Sequence, residues 1–318
     1  MLDLTKLQSE DVAAFAASCV AGAPPPCARE CPFGLDVRSL AARAEKGRWQ
    51  AAYKTYRDAV VFPEIVSRLC PTPCAAACPR ALSGGAVELR GLERAAVTLA
   101  KDKRRERYAI PRKAGIVAVV GAGPSGLAAA LSLASKQYSV TVFERGSAWG
   151  GALRGHNDFE VFDAEFTSGF LSLDASFEYG REITSLAELS GFGAVYVATG
   201  DRGEAFGLMD GFDPALLTTS EPRVFLGGGL VGAELMESIA HGRLVSRSIE
   251  AYFQVGRVSV PDAHNNNVCS WTPDTTLAEF SPRVEPSGAD GVFTDAEARA
   301  EAERCFKCDC DVCEKGCE

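Results

Sequence analysis

The sequence predicts an α/β protein: an all-helical, cysteine-rich N-terminal part, then a strand–helix–strand fold of nucleotide-binding type, then a cysteine-rich C-terminal tail. Three observations predict it. Ile116-Val-Ala-Val-Val120 is a continuous apolar run that meets glycines at once, passes into an Ala/Leu-rich helical stretch, and is followed by Val140 to Phe143 ending in Glu144. The first hundred residues instead space their apolar positions at helical intervals, and the cysteines crowd towards the two ends. The expected division is a helical domain over 1–110, a strand–helix domain over 114–255 and an irregular tail over 256–318.

With 318 residues and 47% hydrophobic content the chain buries at least one full core, and its length suits two units. A net charge of −9 argues against a nucleic-acid or anionic-membrane surface, because both require a concentrated positive field. No basic-plus-apolar leader and no apolar run of membrane-crossing length are found, so membrane insertion is not expected and the cytoplasm is the expected compartment. In that reducing setting twelve cysteines suit metal ligation better than a disulfide framework. The three histidines, His156, His241 and His264, are scattered and do not suggest a His-rich metal site.

Taken in order, Asp36 is placed to cap a helix running through Val37, Leu40, Ala44, Trp49 and Tyr53, and Val87 to Ala100 forms a second amphipathic stretch. Lys101 to Arg107 reads as a solvated linker. Strands are expected at 116–120, 140–144, 194–198 and 224–226, the last leading into a helix that continues through Ser246 to Tyr252. Residues 256–290 are rich in Pro, Asn and Ser and read as irregular, and Thr294 to Arg304 reads as a helix delivering the last cysteines.

Gly121-Ala-Gly-Pro-Ser-Gly126 lies between strand and helix, and Glu144 ends the next strand 18 residues after Gly126. This is the Rossmann-type arrangement. Gly121, Gly123 and Gly126 permit a tight turn, close approach to a pyrophosphate and close helix packing; Pro124 and Ser125 open the helix, and a carboxylate at Glu144 suits a ribose hydroxyl. The run continues as Glu144-Arg145, then Gly151-Ala-Leu153-Arg154, and later Thr199-Gly200. Cys19 to Gly200 resembles the family of the glutamate synthase small subunit and the N-terminal part of dihydropyrimidine dehydrogenase. The resemblance implies FAD at the first Rossmann motif, with Gly228 and Gly229 in a closing motif where Gly229 replaces the family's flavin-contacting Asp. It also implies an NADPH domain between the two motifs, yet Gly200 and Gly227 are only 27 residues apart, too few for one. Gly227 to Gly232 spells a second G-x-G-x-x-G, but no strand with a terminal acid follows it.

Cys19, Cys27 and Cys31 form one cysteine group, and Cys70, Cys74 and Cys78 another. Short spacings with neighbouring prolines suit [4Fe–4S] ligation better than inert buried thiols. The resemblance implies two clusters here, one held by Cys31, Cys70 and Cys74 with Glu93, the other by Cys19, Cys27, Cys78 and a fourth cysteine. Gly22 stands where that fourth cysteine belongs, which leaves a three-iron cluster, a non-cysteine ligand or no cluster. At the C-terminus Cys305, Cys308, Cys313 and Cys317 repeat the full spacing, with Cys310 extra, behind an E-A-x-R-C lead-in that the family places before its N-terminal cluster. That pattern suits a further [4Fe–4S] cluster, with a zinc knuckle as the competing reading. The chain stops one residue after Cys317, which suggests a portion of something longer.

The expected role is an FAD- and [4Fe–4S]-containing electron-transfer subunit working with a redox partner or catalytic subunit in a hetero-oligomer. The alternatives are a self-sufficient NAD(P)H-dependent reductase and a non-catalytic, metal-stapled scaffold. No catalytic side chain stands out.

Overall fold

The structure, a computed structural model, describes residues 24–105, 110–258, 279–288 and 291–308. Two compact units divide them: the described residues of Met1–Ala59, Pro71–Lys101 and Pro261–Glu318 form one, Val60–Cys70 and Asp102–Val260 the other. No helix among the described residues is long and apolar enough to cross a membrane.

The helices of the first unit are α1 (Pro26–Arg29), α2 (Val37–Glu45), most of α3 (Trp49–Val60), α5 (Leu89–Leu99) and α9 (Asp295–Glu303); the short α4 (Pro63–Leu69) lies in the second unit. The Asp36 carboxylate accepts from Ser39 N at 3.0 Å and so caps α2, which buries Leu40, Ala41 and Ala44. The single helix expected to run on to Tyr53 is broken. Gly47 takes a left-handed φ of +64°, and α3 restarts at Trp49 with its own buried stripe of Ala52, Tyr53 and Tyr56.

Where it is described, the segment expected as an irregular tail over 256–318 has no helix or strand over 279–288 and carries the expected helix at Asp295–Glu303, but it is tied to the first unit. Ser281 N donates to Ser83 O at 3.1 Å and Arg283 N to Gly84 O at 2.9 Å, so this segment pairs with the turn after Cys78. Thr294 and Glu297 form a capping box that starts α9, which packs on α2 and α5. Trp49 Nε1 donates to Asp295, and the fully buried Glu301 accepts from Glu88 N and Val284 N, both in the first unit. The tail is irregular in secondary structure over 279–288 but fixed by hydrogen bonds.

The second unit is built on one parallel sheet ordered β3-β2-β1-β4-β5, with β1 Ile116–Val120, β2 Ser139–Glu144, β3 Ala175–Tyr179, β4 Ala194–Val197 and β5 Val224–Leu226. Val117 to Val120 are buried, as an inner parallel strand demands. Helix α6 (Pro124–Ser135) connects β1 to β2, α7 (Phe159–Phe170) precedes β3, and α8 (Leu235–Val255) follows β5. Gly242 lets α8 close onto α6: a Cβ there would stand 2.5 Å from Ser125 O. Residues 198–223 contain no helix or strand, so β4 and β5 are direct neighbours.

Helix α4 takes its N-terminal partner from α7. Glu64 N and Ile65 N donate to the two carboxylate oxygens of Glu165 at 2.8 and 3.1 Å. Although the residue as a whole is only partly buried, its carboxyl is turned inward, and desolvation pushes it up to about 8 against the pull of those two N–H groups. The native state then binds a proton that an unfolded glutamate, near 4.5, releases. Stability of this unit should therefore fall as pH rises from about 4.5 to about 8, and Glu165→Gln should flatten that slope. Denaturant midpoints at three pH values in that interval check this; a wild-type slope of the opposite sign would refute it.

Candidate cofactor and metal centres

A cavity of about 550 Å³ opens at the C-terminal ends of β1, β2 and β4 in the second unit, the usual ligand position in an open parallel sheet. The turn after β1 makes its floor. Gly121 has φ +106°, and a Cβ on it would sit 2.4 Å from Ala198 O; a Cβ on Gly126 would sit 2.0 Å from Gly121 O. These two glycines are required by the protein's own packing. Gly123 differs: a Cβ there meets nothing within 4 Å, because Gly123 caps α6 and faces the cavity. This is the open cradle that a pyrophosphate at a helix N-terminus requires.

Glu144 closes the turn from the side. One carboxylate oxygen accepts from Ala122 N at 2.8 Å and the other from Gly146 N at 2.7 Å, so the acid holds both flanking loops while still lining the cavity. Pro124, Arg145, Gly151, Thr199, Gly200 and Gly229 line it as well. Ser125 lines it and shares a 2.7 Å hydrogen bond with the buried Tyr196 hydroxyl. Four residues singled out from sequence are absent from this lining: Gly126, which packs under the turn against Gly121 O, and Leu153, Arg154 and Gly228. Leu153 is buried in the protein, Arg154 donates to Trp149 O and lies over the Phe159 ring, and Gly228 N donates to His241 Nδ1 at 3.2 Å. That last bond requires an unprotonated Nδ1, in keeping with burial lowering the His241 pKa. Sequence reasoning missed Arg181, Asp201 and Ser238, which complete the wall. Ser238 was within reach of it, on the helix that follows the second glycine run.

In the first unit, Cys27, Cys78, Cys305 and Cys308 line a second cavity. Each of the six pairings among them is close enough for a charge on one sulfur to raise the other. Burial first, and these neighbours after it, push Cys27 up to about 12 and Cys305 up to about 11, and raise Cys308. None of the described cysteines is in a disulfide. Arg38, Arg80 and Lys307 line the same cavity; the Arg80 guanidinium stacks 4.5 Å over the Phe306 ring, and its Nε is buried without a hydrogen-bond partner. Sulfur-only donors, cationic neighbours and an orphaned buried N–H fit an anionic, thiolate-bound group. Among the described residues no three His, Cys, Asp or Glu side chains gather tightly enough for a single ion.

Cys31 and Glu93 are also brought together in the first unit. Burial raises the Cys31 thiol, and the Glu93 charge adds to that. Glu93 accepts from the Tyr56 hydroxyl at 3.2 Å, and desolvation lifts its carboxyl to about 8. Cys74 is buried in this unit, whereas Cys70 closes the segment assigned to the second. Cys19, Gly22, Cys310, Cys313 and Cys317 lie outside the described residues. Cys305 and Cys308, expected in a C-terminal group with Cys313 and Cys317, line a cavity together with Cys27 and Cys78. Two sequence signals pointed there: the gap at Gly22 and the displaced E-A-x-R-C lead-in at Glu301 to Cys305.

Comparison with known proteins agrees with this division. Residues 4–105 match the family model for dihydropyrimidine dehydrogenase domain II, 4Fe-4S cluster, and residues 119–186 match that for an NAD(P)-binding Rossmann-like domain. The chain is 34% identical over 151 residues to the glutamate synthase [NADPH] small chain of Mycobacterium tuberculosis, covering 47% of this chain and 31% of the relative. It is 39% identical over 110 residues to that of Bacillus subtilis, covering 34% and 22%. The NAD-dependent dihydropyrimidine dehydrogenase subunit PreT of Escherichia coli is 33% identical over 136 residues, covering 41% and 32%. The matches span less than a third of the length of these relatives.

Proposed function

We propose that this chain, a relative of the glutamate synthase small chains built from a 4Fe-4S module and a Rossmann-like domain, is an FAD- and [4Fe–4S]-containing electron-transfer subunit of an oxidoreductase. The observation that carries the reading is the cradle at Gly123 at the mouth of a parallel sheet, in a chain that also gathers four thiols. When bound, FAD would exchange electron pairs on one side and single electrons with thiolate-held clusters on the other. The chain's residues hold and tune. The α6 N-terminus and Gly123 receive the pyrophosphate, and Glu144 fixes the loops around it. Arg38, Arg80 and Lys307 offset thiolate charge in the first unit, where Cys31, Cys74 and Glu93 are candidate holders of a further cluster.

FAD is favoured over a nicotinamide nucleotide by the Glu144 to Arg154 run and by Thr199-Gly200, which match the flavin half of the resembling family. Residues 198–223 leave no room for a nicotinamide domain between β4 and β5, which supports a partner protein, in a hetero-oligomer of the cytoplasm, as the electron donor or acceptor. The competing reading, a self-sufficient NAD(P)H reductase, draws on the Rossmann match and on the second glycine run at Gly227 to Gly232. Anaerobic purification followed by release and identification of the cofactors separates them. FAD, iron and sulfide are expected, with the flavin colour unchanged on adding NADH or NADPH. Rapid bleaching by either nucleotide alone would establish the reductase, and release of NAD(P) without FAD would overturn the flavin assignment.

A further inference from the structure

We infer that Cys27, Cys78, Cys305 and Cys308 together hold one [4Fe–4S] cluster, so that the C-terminal Cys305-x2-Cys308 pair completes an N-terminal ligand set instead of founding a separate one. The inference rests on the iron–sulfur reading above and names the ligands of one cluster within it.

The geometry is that of a closed set. All four cysteines line one cavity, and each is within electrostatic reach of the other three. The C-terminal pair does not drift there on a loose end. Glu301 and Arg304, immediately before Cys305, are buried and bonded to the backbone at Gly84, Gly85, Glu88, Ser281 and Val284. Arg38 Nε donates to Cys308 O at 2.7 Å, which pins the far end of the pair to α2. A pair held at both ends against the wall that carries Cys27 and Cys78 is preorganised for convergent ligation. It also supplies what the first cysteine group lacks: a C-x2-C pair, where the N-terminal version reads Cys19-x2-Gly22. Binding displaces one proton from each thiol, and Arg38, Arg80 and Lys307 offset the charge so produced.

The full chain, purified anaerobically and reconstituted with ferrous iron and sulfide, provides the test. Cys27→Ala should lose about four irons and four sulfides per chain, and Cys305→Ala with Cys308→Ala should lose the same amount. Combining all three should lose no more, with one electron paramagnetic resonance signal of the dithionite-reduced protein missing throughout and flavin content unchanged. Additive losses of about eight irons would mean two separate clusters and would overturn the shared set. So would iron that stays in the Cys305→Ala, Cys308→Ala protein but leaves on Cys19→Ala, or zinc as the only metal lost.

Because an alanine variant can fail to fold, the wild-type protein gives a second reading. As iron is stripped by a chelator, Cys27, Cys78, Cys305 and Cys308 should become open to iodoacetamide together. Alkylation of Cys305 and Cys308 before any iron is removed, with Cys27 and Cys78 still protected, would overturn the inference. Wild-type protein that takes up neither iron nor flavin would refute the functional reading itself, an outcome distinct from iron bound by other cysteines.

Discussion

Gly123→Val should yield a folded protein that purifies with less than about a tenth of the wild-type flavin, a loss corresponding to only about 1.4 kcal/mol of binding. The position separates binding from folding unusually well. Gly123 is extended, with φ −79° and ψ 179°, a conformation open to any residue, and a Cβ there touches no protein atom. The added side chain therefore falls in the space where the pyrophosphate of the proposed FAD would approach the α6 N-terminus. Its cost to the fold is confined to the N-cap, where glycine itself is a modest partner worth about 1 kcal/mol or less over an aliphatic residue. The neighbouring glycines behave otherwise. Gly126→Val would drive its Cβ to within 2.0 Å of Gly121 O, so that variant should lose the fold along with the cofactor. Flavin absorbance per chain, read beside a thermal melt, distinguishes the two. A Gly123→Val protein with full flavin and a normal melt would show that the cavity takes its ligand elsewhere.

How much of this was legible in the sequence depended on how local the determining physics was. The β1–α6–β2 core was readable because inner parallel strands are apolar throughout and the glycine turn has few other uses. Strand β3 was not, since it sits at the sheet edge with a mostly exposed face, and Ala175 to Tyr179 carry little of the burial that makes a strand visible. Helix α7 escaped for a related reason: only Phe162, Phe166 and Gly169 are buried along it. The helix drawn from Val37 to Tyr53 was right in its apolar spacing and wrong at Gly47, because periodicity alone does not register a left-handed stop.

The thiol sites show the opposite limit. Cysteine spacing within each group was visible, but which groups meet is settled by segments more than 200 residues apart. Residues 279–288 looked structureless because they contain no periodic pattern, yet they are held by backbone hydrogen bonds to Ser83 and Gly84. Composition marks a segment as irregular. It does not mark it as free.

That anchoring makes Arg304 the position where a single change should cost the first unit most. Arg304 Nη1 lies 2.6 Å from the Glu301 carboxylate, with the two side chains only 3% and 0% exposed. Its other nitrogens donate to Gly84 O, Gly85 O and Ser281 O. Such a pair contributes little net stability over a well-packed apolar substitute, but removing one partner leaves a charge and several carbonyls buried without compensation. Arg304→Ala should therefore destabilise the first unit by about 3–5 kcal/mol, lowering its melting transition by roughly 10 °C or more. Arg304→Lys keeps the charge but not the planar fork that reaches three carbonyls, and should fall between the two. Because Cys305 follows directly, bound iron should drop with the melting transition, while flavin, whose proposed site is in the second unit, should be retained. An Arg304→Ala protein that melts like the wild type would mean that α9 is held by its apolar contacts on α2 and α5, with the buried pair adding nothing that its loss exposes.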